Sequence, residues 1–237
     1  MKIMNFTSFI NENDSTAKSF EELSEETKIL AIEKNRDINI SHDWWEDTIE
    51  IFAEDMLKYG LTIDPDEGVQ FSGFHSQGDG ASFVTESIDS EEFMKEGLEL
   101  DSNEFLDMEE PPKDELQQLV GDMKEIGFDN RERLTPADFY FNVVRTSSNY
   151  SHENTVSMDM DFDELEKDDD DDDRDFDSFA SGLEDDATEW IRDKCKELYK
   201  KLEDYNNELT SDKEVAESLI SNEYMFDEEG DIVYNSR

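Results

Sequence analysis

Apolar positions recur along this chain with two periods, and the switches between them mark the elements. Near the start, Ser19-Phe-Glu-Glu22 and then Ser24 with Glu25 and Glu26 are successive helix-start signals. A serine oxygen caps the first amides and the carboxylates suit the positive end of the helix dipole. This helix is expected to run to Asn35. Ser41 is expected to open a second one, with Trp45, Ile49, Phe52, Met56 and Tyr59 recurring every three to four residues and Gly60 as its stop. Trp44 and Trp45 read as core anchors.

Between Val69 and Thr85 the period drops to two. Val69 to Phe74 alternates, Ser76-Gln-Gly-Asp-Gly80 is turn chemistry, and Ala81 to Val84 alternates again, which predicts a β-hairpin. Ser90 heads a short helix to Gly97, and another is predicted from Asp114 to Ile126, between Pro111-Pro112 and Gly127. A second hairpin is predicted from Phe139–Val144 and Thr155–Met160, joined by the polar connection Arg145 to Asn154. The longest periodic segment follows: Leu183, Ala187, Trp190, Ile191, Cys195, Leu198, Leu202, Tyr205 and Leu209 lie on one face of a long helix. Ser211-Asp-Lys-Glu214 is a capping-box pattern for a last helix, and Tyr224 to Tyr234 around Gly230 reads as a small terminal hairpin. The expected fold class is α+β in a single domain: a four-stranded antiparallel sheet built from the two hairpins, packed with helices. No internal repeat is visible.

Charge changes this picture more than composition does. The chain has 67 acidic against 21 basic residues, a formal net charge of −46 over 237 residues. The imbalance grows along the chain, from −8 over residues 1–60 to −16 over 61–150 and −22 over 151–237. Its peak is the unbroken run Asp168, Asp169, Asp170, Asp171, Asp172 and Asp173, followed by Asp175 and Asp177. Residues 163–180 are expected to be disordered or exposed. Such a chain repels nucleic acids and anionic membranes, and its natural partners are cations or basic surfaces. An aromatic content of 11% argues for a folded core all the same. A single cysteine excludes an internal disulfide, the N-terminus does not read as a signal peptide, and no run of about 18 apolar residues exists to span a membrane.

Catalytic chemistry finds little footing. His42, His75 and His152 are far apart in sequence, and Cys195 sits on an apolar helix face, where a buried, inert thiol is expected. Gly73, Gly78 and Gly80 do not precede a helix as a phosphate-cradling loop would. The segment Asp168 to Asp177 lacks the central glycine of a calcium loop, so it suits diffuse cation attraction better than a defined site. No metal ligand, cofactor or catalytic residue is assigned. The run also invites comparison with nucleic acid. An extended chain carries one aspartate per ~3.3 Å, close to one phosphate per roughly 3.4 Å of DNA strand. Six residues sustain that match for only about 20 Å, so the run alone is a poor duplex imitation.

Several segments carry a resemblance: Phe20 to Lys28, Ala31 to Asp37, Asp43-Trp-Trp-Glu46, Phe71-Ser-Gly-Phe-His-Ser-Gln-Gly-Asp-Gly-Ala-Ser-Phe83, Tyr150-Ser-His152, Leu209 to Ala216 and Asn222 to Phe226. Together they resemble a family of small acidic proteins of tailed phages, labelled antitoxin-like or hypothetical. The resemblance implies a phage origin, and hence the cytoplasm of an infected bacterium, but no catalytic residues. Within the motif, Phe71, Phe74 and Phe83 read as core. Ser76, Gln77 and Asp79 either cap the hairpin turn or, with His75, form an exposed recognition loop. The expected partner-binding residues are therefore the aspartates from Asp168 to Asp177 together with His75, Gln77 and Asp79. The expected function is a non-enzymatic inhibitor of a host DNA-handling protein in an antiviral defence system, a restriction or BREX-type complex, its ATPase or a nuclease. Neutralisation of a basic toxin is the alternative, and a metal-dependent hydrolase a remoter one.

Overall fold

Helix starts and glycine stops shape the first third of the chain. Ser24 accepts the Thr27 N–H at 3.1 Å and begins α1 (Glu25–Lys34). The earlier signal at Ser19 yields only a 3-10 turn (Phe20–Glu22), in which the Ser19 N–H donates to Glu22 Oε2 at 3.0 Å. Ser41 starts no helix: its hydroxyl donates back to the Ile38 carbonyl at 3.2 Å and closes a second 3-10 turn (Ile38–Ile40). Helix α2 (Glu46–Leu57) begins five residues later, and Gly60 follows it at φ +75°. A Cβ on Gly60 would lie 2.7 Å from the Asp89 carbonyl oxygen, so the stop also has a steric reason.

The computed structural model describes residues 17–99, 139–146, 150–162 and 173–233. The helix expected from Asp114 to Ile126 lies outside them. The chain divides into two compact units, Met1–Trp44 with Glu203–Arg237, and Trp45–Leu202.

In the first unit, β1 (Lys18–Ser19) pairs antiparallel with a strand near the chain end (Met225–Phe226) in the register Lys18↔Phe226. Phe20, Leu23, Ala31, Val215, Leu219 and Phe226 form its core, with the Phe20 and Phe226 rings edge-on at 6.0 Å. Ser211 accepts the Glu214 N–H at 3.3 Å and caps the last helix (Asp212–Ser221), as the capping-box pattern predicts. Arg36 ties the two ends of this unit together, donating to the Thr210 carbonyl and to Asp212 Oδ1, both at 2.8 Å, and to Glu33. The small terminal hairpin expected over Tyr224 to Tyr234 is present as the bridge Phe226↔Ile232, with the Val233 N–H donating to the Met225 carbonyl at 2.8 Å and the Asp227 N–H to the Asp231 carbonyl at 3.1 Å; Tyr234 lies outside the described residues. The turn in between is drawn around Lys34. Its ammonium donates to the Glu229 carbonyl at 3.0 Å and to Asp231 Oδ2 at 2.7 Å, and Asp231 raises its pKa.

In the second unit, β2 (Leu61–Thr62) pairs with β5 (Ser87–Ile88), and β3 (Val69–Phe71) with β4 (Ala81–Phe83). The chain then enters α3 (Ser90–Glu92), which continues as a π-helical stretch (Phe93–Gly97). Asp89 is its cap, accepting the Glu92 N–H at 3.1 Å, while the Ser90 hydroxyl donates to the Phe139 carbonyl at 2.5 Å. Strands β6 (Phe139–Arg145) and β7 (Val156–Phe162) form the longest pair, in the register Phe141↔Met160 and Val143↔Met158. Phe139, Phe141 and Val143 are buried and Tyr140 and Asn142 exposed, the period-two alternation expected of a strand with one covered face.

Both predicted hairpins are present, but they do not merge into a four-stranded sheet; every sheet among the described residues is a two-stranded pair. The edges explain this. The outer edge of β7 is taken by α4 (Asp173–Leu209): Thr188 Oγ1 accepts the Met158 N–H at 2.9 Å and Arg192 Nε donates to the Val156 carbonyl at 3.2 Å. Side chains of a helix thus satisfy backbone groups that a third strand would otherwise pair. Along α4, Leu183, Ala187, Ile191, Cys195, Leu198 and Leu202 are fully buried, as the periodic stripe predicts. The helix begins at Asp173, ten residues ahead of the first residue of that stripe. We label the last helix (Asp212–Ser221) α5 and the last strand (Met225–Phe226) β8.

Candidate functional site

The hairpin turn between β3 and β4 is an exposed feature held by several hydrogen bonds. The Ser72 N–H donates to the Gly80 carbonyl and the Gly80 N–H to Ser72 Oγ, both at 3.0 Å, which closes the base of the loop. Asp79 Oδ2 accepts the His75 N–H at 2.9 Å and the Ser76 N–H at 2.6 Å. One carboxylate oxygen therefore replaces two backbone partners, as aspartate does in tight turns. Two contacts from far along the chain fix the loop to the body. Tyr199 on α4 donates its hydroxyl to the Gly73 carbonyl at 3.2 Å. Gly80 lies so close to His152 that a Cβ there would be 2.4 Å from the histidine Cβ. Beneath, Trp45 packs on Phe71 at 5.6 Å and Phe74 on Tyr199 at 5.5 Å.

The loop residues separate by role. Asp79 is half-buried and holds the turn, so its carboxylate works within the loop. His75, Ser76, Gln77 and Gly78 face solvent, with Gly78 at φ +99° and open space where a Cβ would be. His75 and Gln77 are thus presented on a rigid frame, and Asp79 is part of that frame. The aspartates of the acidic run are not brought to this loop by anything in the described residues. Asp168 to Asp172 lie outside those residues, while Asp173, Asp175 and Asp177 fall in the backbone of the first turns of α4. His152 Nδ1 accepts the Asn154 N–H at 3.2 Å, a turn-capping arrangement. Tyr199 and His152 are the loop's key supports, and no local signal in the sequence links either to it.

Burial sets the electrostatics of the interior. Cys195 is fully buried and its thiol is pushed up to about 12, so it stays protonated and unreactive as a nucleophile at neutral pH. Arg145 donates to the Gly68 carbonyl at 3.3 Å, and its buried Nε has no partner among the described residues. Burial lowers its pKa, a cost of desolvating a cation. Lys201 pairs with Asp55 at 3.0 Å and holds that carboxyl below its ordinary range. Among the described residues, no group of three or more His, Cys, Asp or Glu is placed to hold a metal ion. No described helix is long and apolar enough to cross a membrane.

Fold and loop together define a protein of mixed helix and strand that displays a rigid turn on a strongly acidic chain. Residues 44–212 match the family described as Domain of unknown function (DUF8835), and the chain belongs to that family. The matched span includes both the loop and the positions of the aspartate run. No curated protein and no solved structure matches the chain.

Proposed function

We propose that this is a phage-encoded, non-catalytic inhibitor that binds a host DNA-handling protein of an antiviral defence system, such as a restriction or BREX-type complex, and blocks DNA engagement or assembly. The observation that carries the reading is the net charge of −46 on a chain with a well-packed aromatic core. A field of that sign steers the protein onto basic grooves built for nucleic acid, and short-range contacts then set residence time. The rigid turn supports the same reading, because His75 and Gln77 are held exposed by backbone and Asp79 hydrogen bonds. Acidic surface and fixed loop suffice for occlusion without any chemical step.

Affinity capture from host lysate at physiological salt tests this. The expected result is recovery of a DNA-handling protein, released by competing duplex DNA and by raised salt. Failure to recover such a protein, with no protection of phage against any defence system, overturns it. Rescue of growth from a toxic neighbouring gene product would favour toxin neutralisation instead.

A further inference from the structure

The inhibitor reading leaves open which folded surface meets the target, and α2 (Glu46–Leu57) offers an answer. Its inner face is ordinary core: Ile49, Phe52, Ala53 and Met56 are buried. Its outer face is not an ordinary solvated one. Ile51 is 58% and Leu57 55% exposed, two of the most exposed large aliphatic side chains of the described residues, on a single 12-residue helix. At 3.6 residues per turn they lie about 120° apart around the axis. Asp47, Glu50 and Glu54 project into the arc between them, and all three are exposed. Among the described residues no cation pairs with any of these three carboxylates. Lys58 shares the arc, but its ammonium lies 3.9 Å from Asp55 and 5.0 Å from the Tyr59 ring centre. Asp55, beyond Ile51, is neutralised by Lys201 at 3.0 Å. Among the described residues, the helix therefore shows a stripe of three carboxylates without a cation partner, flanked by one exposed aliphatic side chain on each side, Ile51 and Leu57, which act as rails.

We infer that the solvent face of α2 docks a basic, amphipathic segment of the target protein, one that places arginine or lysine between apolar side chains. The inference rests on the inhibitor reading and gives it a contact surface. Charge selects the partner: the stripe attracts cations and repels nucleic acid and anionic lipid. The rails make the selection specific, because a purely cationic chain gains from Asp47, Glu50 and Glu54 but leaves Ile51 and Leu57 in water. An amphipathic basic segment covers both and excludes water from the ion pairs between them. The stripe and rails run along the helix, so an extended or helical partner of about 18 Å would follow it.

The probe is a pair of synthetic peptides of about 12 residues, the length of α2. One alternates leucine and arginine with helical spacing; the other is all arginine. Full-length protein is titrated with each by calorimetry, at low salt and at about 0.15 M. The amphipathic peptide should bind the wild type more tightly, and Ile51→Ala with Leu57→Ala should weaken it about tenfold while sparing the all-arginine peptide. Glu50→Gln with Glu54→Gln should weaken both. These positions are exposed, and unchanged circular dichroism shows that the fold is kept. Equal binding of the two peptides, or no effect of the aliphatic pair, overturns the inference. Capture of a DNA-handling protein that Ile51→Ala with Leu57→Ala leaves undiminished overturns it too, yet leaves the inhibitor reading standing. Peptide binding that behaves as expected in a protein that captures no such target sinks the inhibitor reading and leaves the surface.

Discussion

Gly80 is where a single atom decides whether the exposed turn keeps its shape. With His152 Cβ 2.4 Å and His152 Cα 2.7 Å from an added Cβ, Gly80→Ala must push either the turn or the β6–β7 connection away. Overpacking of this kind costs about 1–3 kcal/mol, so chemical denaturation should show a lowered midpoint at unchanged slope. The motif residues around it were legible as turn chemistry in the sequence. The partner was not, because His152 is brought there by the meeting of two hairpins. Cys195 makes a second prediction at this scale. Its native pKa of about 12 lies above the ordinary thiol value of 9.0. Unfolded chain therefore releases this proton first as pH rises, and stability falls from about pH 9 towards 12. Denaturation midpoints measured across that range should fall less steeply in Cys195→Ala, and a thiol reagent at neutral pH should label only unfolded protein.

Elements were legible wherever periodicity was long. Of the predicted stripe from Leu183 to Leu202, every member but the half-buried Trp190 is fully buried, since a helix of that length averages out local exceptions. Starts were less legible, because serine serves several ends: Ser24 and Ser211 cap helices, whereas Ser41 and Ser90 spend their hydroxyls on the Ile38 and Phe139 carbonyls. Each of these uses follows from the same donor and acceptor capacity, and only neighbours choose among them. The helix-to-strand seam is testable here. Thr188→Val keeps the side-chain shape of Thr188 but removes the acceptor for the Met158 N–H. Leaving such an amide unpaired costs about 1–3 kcal/mol, and hydrogen exchange at Met158 should quicken more than exchange in α1. An unchanged Met158 exchange rate would show that the seam contributes nothing.

Charge is the property of the whole molecule that the proposals depend on. An excess of 46 negative charges makes association with a basic partner fall steeply with salt. Deleting Asp168 to Asp173 should lessen that salt dependence and weaken binding to a captured target. Far-ultraviolet circular dichroism should then show no loss beyond the first residue of α4. Binding unchanged at low salt would assign recognition to the folded surface, where α2 and the β3–β4 turn lie. The pH dependence of the surface runs the other way from that of Cys195. Asp55, held down by Lys201, stabilises the fold above the ordinary carboxylate range, and that contribution is lost as pH falls through its lowered value. Asp55→Asn should flatten the acid limb of the stability profile.

By itself the sequence determined the sign and steepness of the charge, the long helix, both hairpins and the turn over Ser76 to Gly80. These follow from composition and from periods that a reader can count. That the strand stops at Phe71 and the loop closes at Ser72 came from the structure. Tertiary structure alone decided that the hairpins stay two-stranded, because Thr188 and Arg192 reach the edge of β7. It also decided that Asp79 is a support and that His75 and Gln77 are presented. Finally, it left Ile51 and Leu57 exposed beside carboxylates that no cation pairs among the described residues. Which face of an amphipathic pattern is covered depends on residues distant in the chain, and no local period records them.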